Sequence, residues 1–201
     1  MSSQPVFDRR ARRTRGALEA AFLSLIAEQG LARISVADIT TRADVNRSTF
    51  YEHYSDVHDL AVAACTQMFD ELIAATPVIA LDRETTGDDI RRGHEALVEV
   101  LAHVAARADL YQALLGGEGS ARVINHLHQR IVVAIHVDIV GSGADTHADD
   151  PSEVPHNPAA ALLAGALLGT IMEWLRHGCP GTSEQLAVTI RSQLAAAAPQ
   201  R

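Results

Sequence analysis

Apolar residues along this chain recur every three or four positions and seldom every second one. That spacing predicts helices and leaves little room for strands. The first stripe is Ala17, Ala20, Ala21, Leu23, Leu25 and Ile26. It predicts a helix from about Arg9 to Gln29, stopped by Gly30 at the position just past the end. Residues 1–7 read as a loose tail. Two short helices follow. In the first, Val36, Ile39 and Ala43 share a face, and Ser35 with Asp38 forms a capping box. Asp44 marks a tight turn, because Asp tolerates left-handed backbone better than most residues. Val45 plugs the turn. Asn46 is expected to cap a second short helix running to about Tyr54. On it Phe50 and Tyr54 share one face, Arg47, Ser48 and Tyr51 share another, and Glu52 adjoins the latter.

Longer helices fill the rest. Asp56, with Asp59 three residues on, caps a helix to about Ala75 whose apolar positions are Leu60, Ala64, Met68 and Leu72, with Thr76-Pro77 ending it. Residues 77–87 connect it to a helix from Asp88 to about Arg107, striped by Ile90, His94, Leu97, Leu101 and Val104. Ala108 to Leu115 is a short helix, broken by GGEGS at 116–120, and Ala121 to Val140 is helical again. Residues 141–157 are polar, acidic and rich in Gly and Pro, and read as a mobile loop. Asn157-Pro158 is a cap and first-position pair. It opens an apolar helix ended by Gly178 to Gly181, and Thr182 or Ser183 starts a last helix to about Ala197. The predicted class is all-α, with about nine helices in all.

Two short helices across a tight turn make a helix-turn-helix, whose second helix enters the DNA major groove. The residues carrying this are G-L-x-x-I-S-V-x-D-I from Gly30 to Ile39, V-N-R-S-T-F-Y-E-H-Y from Val45 to Tyr54, and D-L at Asp59 and Leu60. Together they resemble the DNA-binding domain of the TetR/AcrR family of transcriptional regulators, over roughly Arg9 to Leu60. The resemblance implies an N-terminal three-helix DNA-binding domain, 8–55, followed by a larger helical ligand-binding and dimerisation domain, 56–201. It implies DNA contacts by Ser35, Thr40, Arg42, Asn46, Arg47, Ser48, Thr49, Tyr51, His53 and Tyr54. Arg47 is the residue expected to read a guanine edge. Tyr51 should reach a phosphate or a thymine methyl. Ser35, Thr40 and Arg42 should touch phosphates. His53 and Tyr54 match positions near the DNA backbone, with core packing an equal alternative for Tyr54. Two residues depart from the family pattern: Asp44 stands where Gly is usual, and Val57 where a phosphate-binding Lys is usual.

The Pro158–His177 helix is apolar nearly all round, so it must be covered on two sides. Ala161, Ala164, Gly165 and Gly169 allow another helix to approach closely. The resemblance implies the same arrangement, a homodimer through the last two helices. It also implies a small-molecule effector held among the middle helices. Met68, Phe69, Leu101, Tyr111, Leu114, Met172 and Trp174 are candidate wall residues, with plain core packing the alternative for each.

Composition sharpens this picture. Net charge is −8, and all seventeen basic residues are Arg. Residues 1–55 hold eight Arg against six acids, and residues 56–201 hold nine Arg against nineteen acids. A basic end on an acidic body points to one polyanion-binding region. Arg9, Arg10, Arg12, Arg13 and Arg15 crowd a helix start, where the dipole disfavours cations; phosphate contacts would explain the placement. Cys65 and Cys179 match no metal or redox spacing and read as thiols in a reducing cytoplasm. No signal peptide is expected, because the N-terminus is polar and Arg-rich with no apolar core behind it. The segment Pro158 to Leu175 carries Glu173 and is full of Ala and Gly, so no membrane span is expected. His94, His103, His126, His128 and His136 form no His-x-x-x-His pair, and no metal or cofactor is expected. A Gly-rich phosphate loop and a nucleophile elbow are both missing, which argues against an enzyme. The expected protein is a cytoplasmic repressor, bound as a dimer to a palindromic double-stranded DNA operator and released by a small molecule. The alternative is a regulator without a small-molecule ligand, responsive to a protein or acting as an activator.

Overall fold

The structure, a computed structural model, describes residues 4–75, 87–117, 119–140 and 156–197. The connection at 77–86 and most of the loop read at 141–157 lie outside the described residues. The helices are α1 (Gln4–Gln29), α2 (Val36–Ala43), α3 (Arg47–His53), α4 (Val57–Ala75), α5 (Gly87–Ala106), α6 (Ala108–Leu115), α7 (Ala121–Val140), α8 (Pro158–Arg176) and α9 (Ser183–Ala197). A single 3-10 turn, Leu31–Arg33, links α1 to α2. Among the described residues there is no strand. The class is all-α, as the spacing predicts.

Local chemistry explains most helix ends. Ser35 accepts from the Asp38 N–H while the Asp38 carboxylate accepts from the Ser35 N–H, a complete capping box. Asp56 accepts from the Asp59 N–H at 2.8 Å, and Asn157 accepts from the Ala160 N–H with Pro158 just behind it. Thr182 and Gln185 form a second reciprocal box at the start of α9. Gly30 and Gly178 sit at positive φ, where a Cβ would be strained. One boundary differs from expectation. α1 begins at Gln4, five residues earlier than Arg9, so residues 4–7 are helix and not tail. Pro5 falls in the first turn, where no backbone N–H has an intrahelical partner, so it does not oppose the helix.

Packing divides by layer. α1 lies against α2 and α4, and α3 packs beside α2. In the body α7 is held between α4 and α8, α9 runs along α5, and α6 bridges α8 and α1. One apolar core runs through all of it, from Leu18 and Phe22 on α1, through Phe50, Leu60 and Phe69, to Tyr111, Ile135, Leu168 and Ile190. Phe22, Phe50 and Phe69 are fully buried, and truncating one to Ala would cost about 3–5 kcal/mol. α8 is long and apolar enough to cross a membrane by length and composition. In this fold it packs against α7 and α6.

Candidate nucleic-acid interface

α3 is aimed by its anchor. Phe50 is 0% exposed, and its ring meets Tyr54 on the same face. With that face pinned inward, Asn46, Arg47, Ser48, Tyr51 and Glu52 are all exposed. Tyr51 is 49% exposed. The Arg47 guanidinium donates to the Tyr51 hydroxyl at 3.2 Å and lies 5.6 Å from the ring centre. Thr49 and His53 are half-buried on the flanks. The turn between α2 and α3 closes as its chemistry predicts. Asp44 takes φ 53 and ψ 48, the left-handed region, and Val45 donates its N–H to Thr40 O at 3.0 Å. Asn46 occupies the cap position of α3, but its side chain makes no cap hydrogen bond and stays exposed to the outside.

Some expected contacts are placed differently. Thr40 is buried, and its hydroxyl donates to Val36 O at 2.9 Å, as helical Thr often does. Tyr54 is buried too, and its hydroxyl donates to Glu19 on α1 at 2.7 Å. Burial and the Glu19 carboxylate push the Tyr54 phenol up, so it stays protonated. Neither side chain faces outward, so both leave the candidate DNA surface. Ser35 is exposed but occupied by its capping box, and Asp38 is held below the ordinary carboxylate range by the Ser35 hydroxyl and N–H. Arg42 is exposed and bidentate to Glu28, with both contacts at 2.8 Å, and also reaches Ser24. That bond lowers the Glu28 carboxyl and braces α2 against α1. Sequence reading missed this brace, since its partners lie 14 and 18 residues apart. Arg9, Arg10, Arg12, Arg13 and Arg15 are all exposed along α1.

The start of α4 follows α3 directly and is clasped to the start of α7. Arg122 on α7 donates to Asp56 at 2.8 Å, and Ser120 pairs with His58 at 3.1 Å. The Asp59 N–H and then Arg122 hold the Asp56 carboxyl below its ordinary value. Ser120 closes a turn that only glycine permits: a Cβ on Gly119 would lie 2.3 Å from Leu114 O, and one on Gly116 2.4 Å from Gln112 O.

The opposite end of α4 borders a cavity of about 70 Å³. Its wall takes Phe69, Leu72 and Ile73 from α4, Leu97 and Val104 from α5, Tyr111 and Leu115 from α6, Leu127 and Ile131 from α7, and Leu168 and Ile171 from α8. Phe69 and Tyr111, two of the candidate wall residues, line this cavity. The other candidates do not line it. Leu101 and Leu114 are fully buried core residues outside the wall, and Met68 packs at the core edge. Met172 lines a separate open cleft with Leu31 and Arg176. Trp174 is buried with its indole N–H donating to Pro180 O at 3.0 Å. Several of these misses are by one residue, and neighbouring residues on a helix point about 100° apart.

The comparisons agree with this architecture. Residues 17–64 match the model of bacterial regulatory proteins of the tetR family, and residues 93–194 match a transcriptional regulator C-terminal region. The chain is similar to an uncharacterized HTH-type transcriptional regulator of Bacillus subtilis, 42% identical over 76 residues, 35% of this chain. That match spans only 20% of the relative. A second HTH-type regulator, from Mycobacterium tuberculosis, is 26% identical over 136 residues, covering 65% of this chain and 71% of that one. Among solved structures, a TetR transcriptional regulator from Streptococcus agalactiae superposes with a TM-score of 0.62 at 23% identity, over 94% of this chain and 97% of that one. Taken with the outward face of α3 and the all-helical body, these matches show that the chain belongs to the TetR family of DNA-binding transcriptional regulators.

Proposed function

We propose that this protein is a repressor that binds a palindromic operator as a homodimer and is released by a small molecule. The reading divides the chain into a DNA-reading head, 8–55, and an effector and dimerisation body, 56–201. The observation that carries it is the double role of α4. One end continues from the recognition helix through His53 to Val57, and the other end forms part of a cavity wall. Arg47, Ser48 and Tyr51, with Asn46, Thr49 and His53 beside them, are the proposed base and backbone contacts. Ser35, Arg42 and the exposed Arg residues of α1 are the proposed phosphate contacts.

The outer face of the last two helices supports a dimer. Leu162 on α8 is 67% exposed and Val188 on α9 is 54% exposed. Gly165, Ala166 and Gly169 leave a shallow trough between them and the α9 start. Pairing α8 and α9 with their copies would cover this surface. To meet successive major grooves, the two recognition helices of such a dimer would have to stand about 34 Å apart, one turn of DNA, or a multiple of it. A molecule filling the cavity would displace α4, change that separation, and so discriminate the two states. The setting is the cytoplasm, where the operator is. Footprinting on the DNA upstream of its own gene tests the reading. Protection of two symmetric half-sites supports it, and protection of one asymmetric site or none overturns it.

A further inference from the structure

We propose that the cavity against α4 takes an uncharged, mainly apolar molecule bearing one hydrogen-bond acceptor, which the Tyr111 hydroxyl holds. This rests on the reading of that cavity as the effector site and names the chemistry it would select. Among the described lining residues Tyr111 carries the one polar side chain, and the rest are Leu, Ile, Val and Phe. Tyr111 is only 2% exposed, and its hydroxyl has no hydrogen-bond partner among the described residues. Buried polar groups are nearly always paired, so a lone one in an apolar wall marks a place where a ligand completes the pairing.

The sign of the ligand follows from the surroundings. Burial pushes the Tyr111 phenol up to about 12, so at neutral pH it is an O–H donor and calls for an acceptor. Among the described lining residues none is charged. The nearby Arg107 is exposed and donates to His103 at 2.8 Å. An anion placed in the cavity would lose its hydration without gaining a counter-charge. A carbonyl or ether oxygen on a small ring or short chain meets every requirement. The cavity, about 70 Å³, admits a few heavy atoms unless Leu72 or Ile171 rotates away.

The test uses the full chain, without DNA, and three probes of one shape: cyclohexanone, methylenecyclohexane and cyclohexanecarboxylate. Binding is read by ligand-observed NMR for the wild type and for Tyr111→Phe. The ketone should bind, and lose about 3- to 10-fold in affinity in the variant, the range of one neutral hydrogen bond. The hydrocarbon should bind both proteins alike, and the carboxylate neither. A second variant, Ile171→Phe, fills the cavity and should abolish ketone binding. Three results overturn the proposal: carboxylate binding above ketone binding, an unchanged ketone affinity in Tyr111→Phe, or no binding by any probe. DNA affinity is measured separately. Ketone binding through Tyr111 without any change in DNA affinity sinks the effector reading and leaves this inference standing. Binding and DNA release by the carboxylate alone would do the reverse.

Discussion

Arg47 and Tyr51, one helical turn apart on α3, hold each other in the free protein: the guanidinium donates to the phenol at 3.2 Å and stands 5.6 Å from the ring centre. An i, i+4 pair of this kind reduces the freedom both side chains would lose on binding DNA. Arg47→Ala should weaken operator binding by about 1–3 kcal/mol and relax preference at one base pair. Tyr51→Phe removes the hydroxyl but keeps the ring, and should weaken binding less than Tyr51→Ala. Fluorescence anisotropy on operator and mutated-operator duplexes measures both, and equal affinities for wild type and Arg47→Ala would show that α3 does not read bases.

The clasp at the start of α4 gives a prediction separable from stability. Arg122 and Asp56 are well exposed, so their ion pair contributes at most about 1 kcal/mol to folding. Its proposed value lies in holding α4, and hence α3, in one orientation. Arg122→Ala should leave the melting curve nearly unchanged while shifting the linkage between effector and DNA by about 0.5–2 kcal/mol. An effector titration of DNA affinity identical to wild type would reduce the clasp to a surface pair.

The exposed apolar face of α8 and α9 predicts an assembly. Leu162→Glu combined with Val188→Glu places two carboxylates on that face without touching the core of one chain. The variant should keep its helical circular dichroism, run as a monomer in light scattering, and lose most operator affinity. A variant that stays dimeric would place the interface elsewhere.

His126 on α7 predicts a pH response. Its imidazole pairs with the Thr66 hydroxyl at 3.0 Å, and burial first, then Arg130, lowers its pKa from the ordinary 6.5. The folded state therefore binds the proton less readily than the unfolded chain. Stability contributed here is present above pH 6.5 and is lost as pH falls below it, through the lowered folded value. Urea melts from pH 7 to pH 5 should show less loss for His126→Gln than for wild type. Parallel losses would assign the acid response to other groups.

The helix termini were legible from residues alone because their chemistry is local. Ser35 with Asp38, Asp56 with Asp59, and Asn157 with Pro158 act over one to three residues, and each forms as read. The two faces of α3 were legible for the same reason, since spacing alone sets which side chains share a face. The fates of Thr40 and Tyr54 were less so. Tyr54 is claimed by Glu19, 35 residues earlier, and no spacing rule reaches that far. At the cavity wall the sequence named Leu114 where Leu115 lines it and Met172 where Ile171 does, because a small rotation of a helix decides which neighbour faces inward.

Sequence by itself determined the all-helical class, the helix-turn-helix, and the outward set led by Arg47 and Tyr51, since helical period, caps and turn residues act within a few positions. Only the tertiary structure decided what sits between the helices: the Arg42–Glu28 brace, the Arg122–Asp56 clasp, and the apolar cavity with Tyr111 in its wall. Those depend on how whole helices are rotated and spaced against one another, and packing settles that across distances no local pattern records.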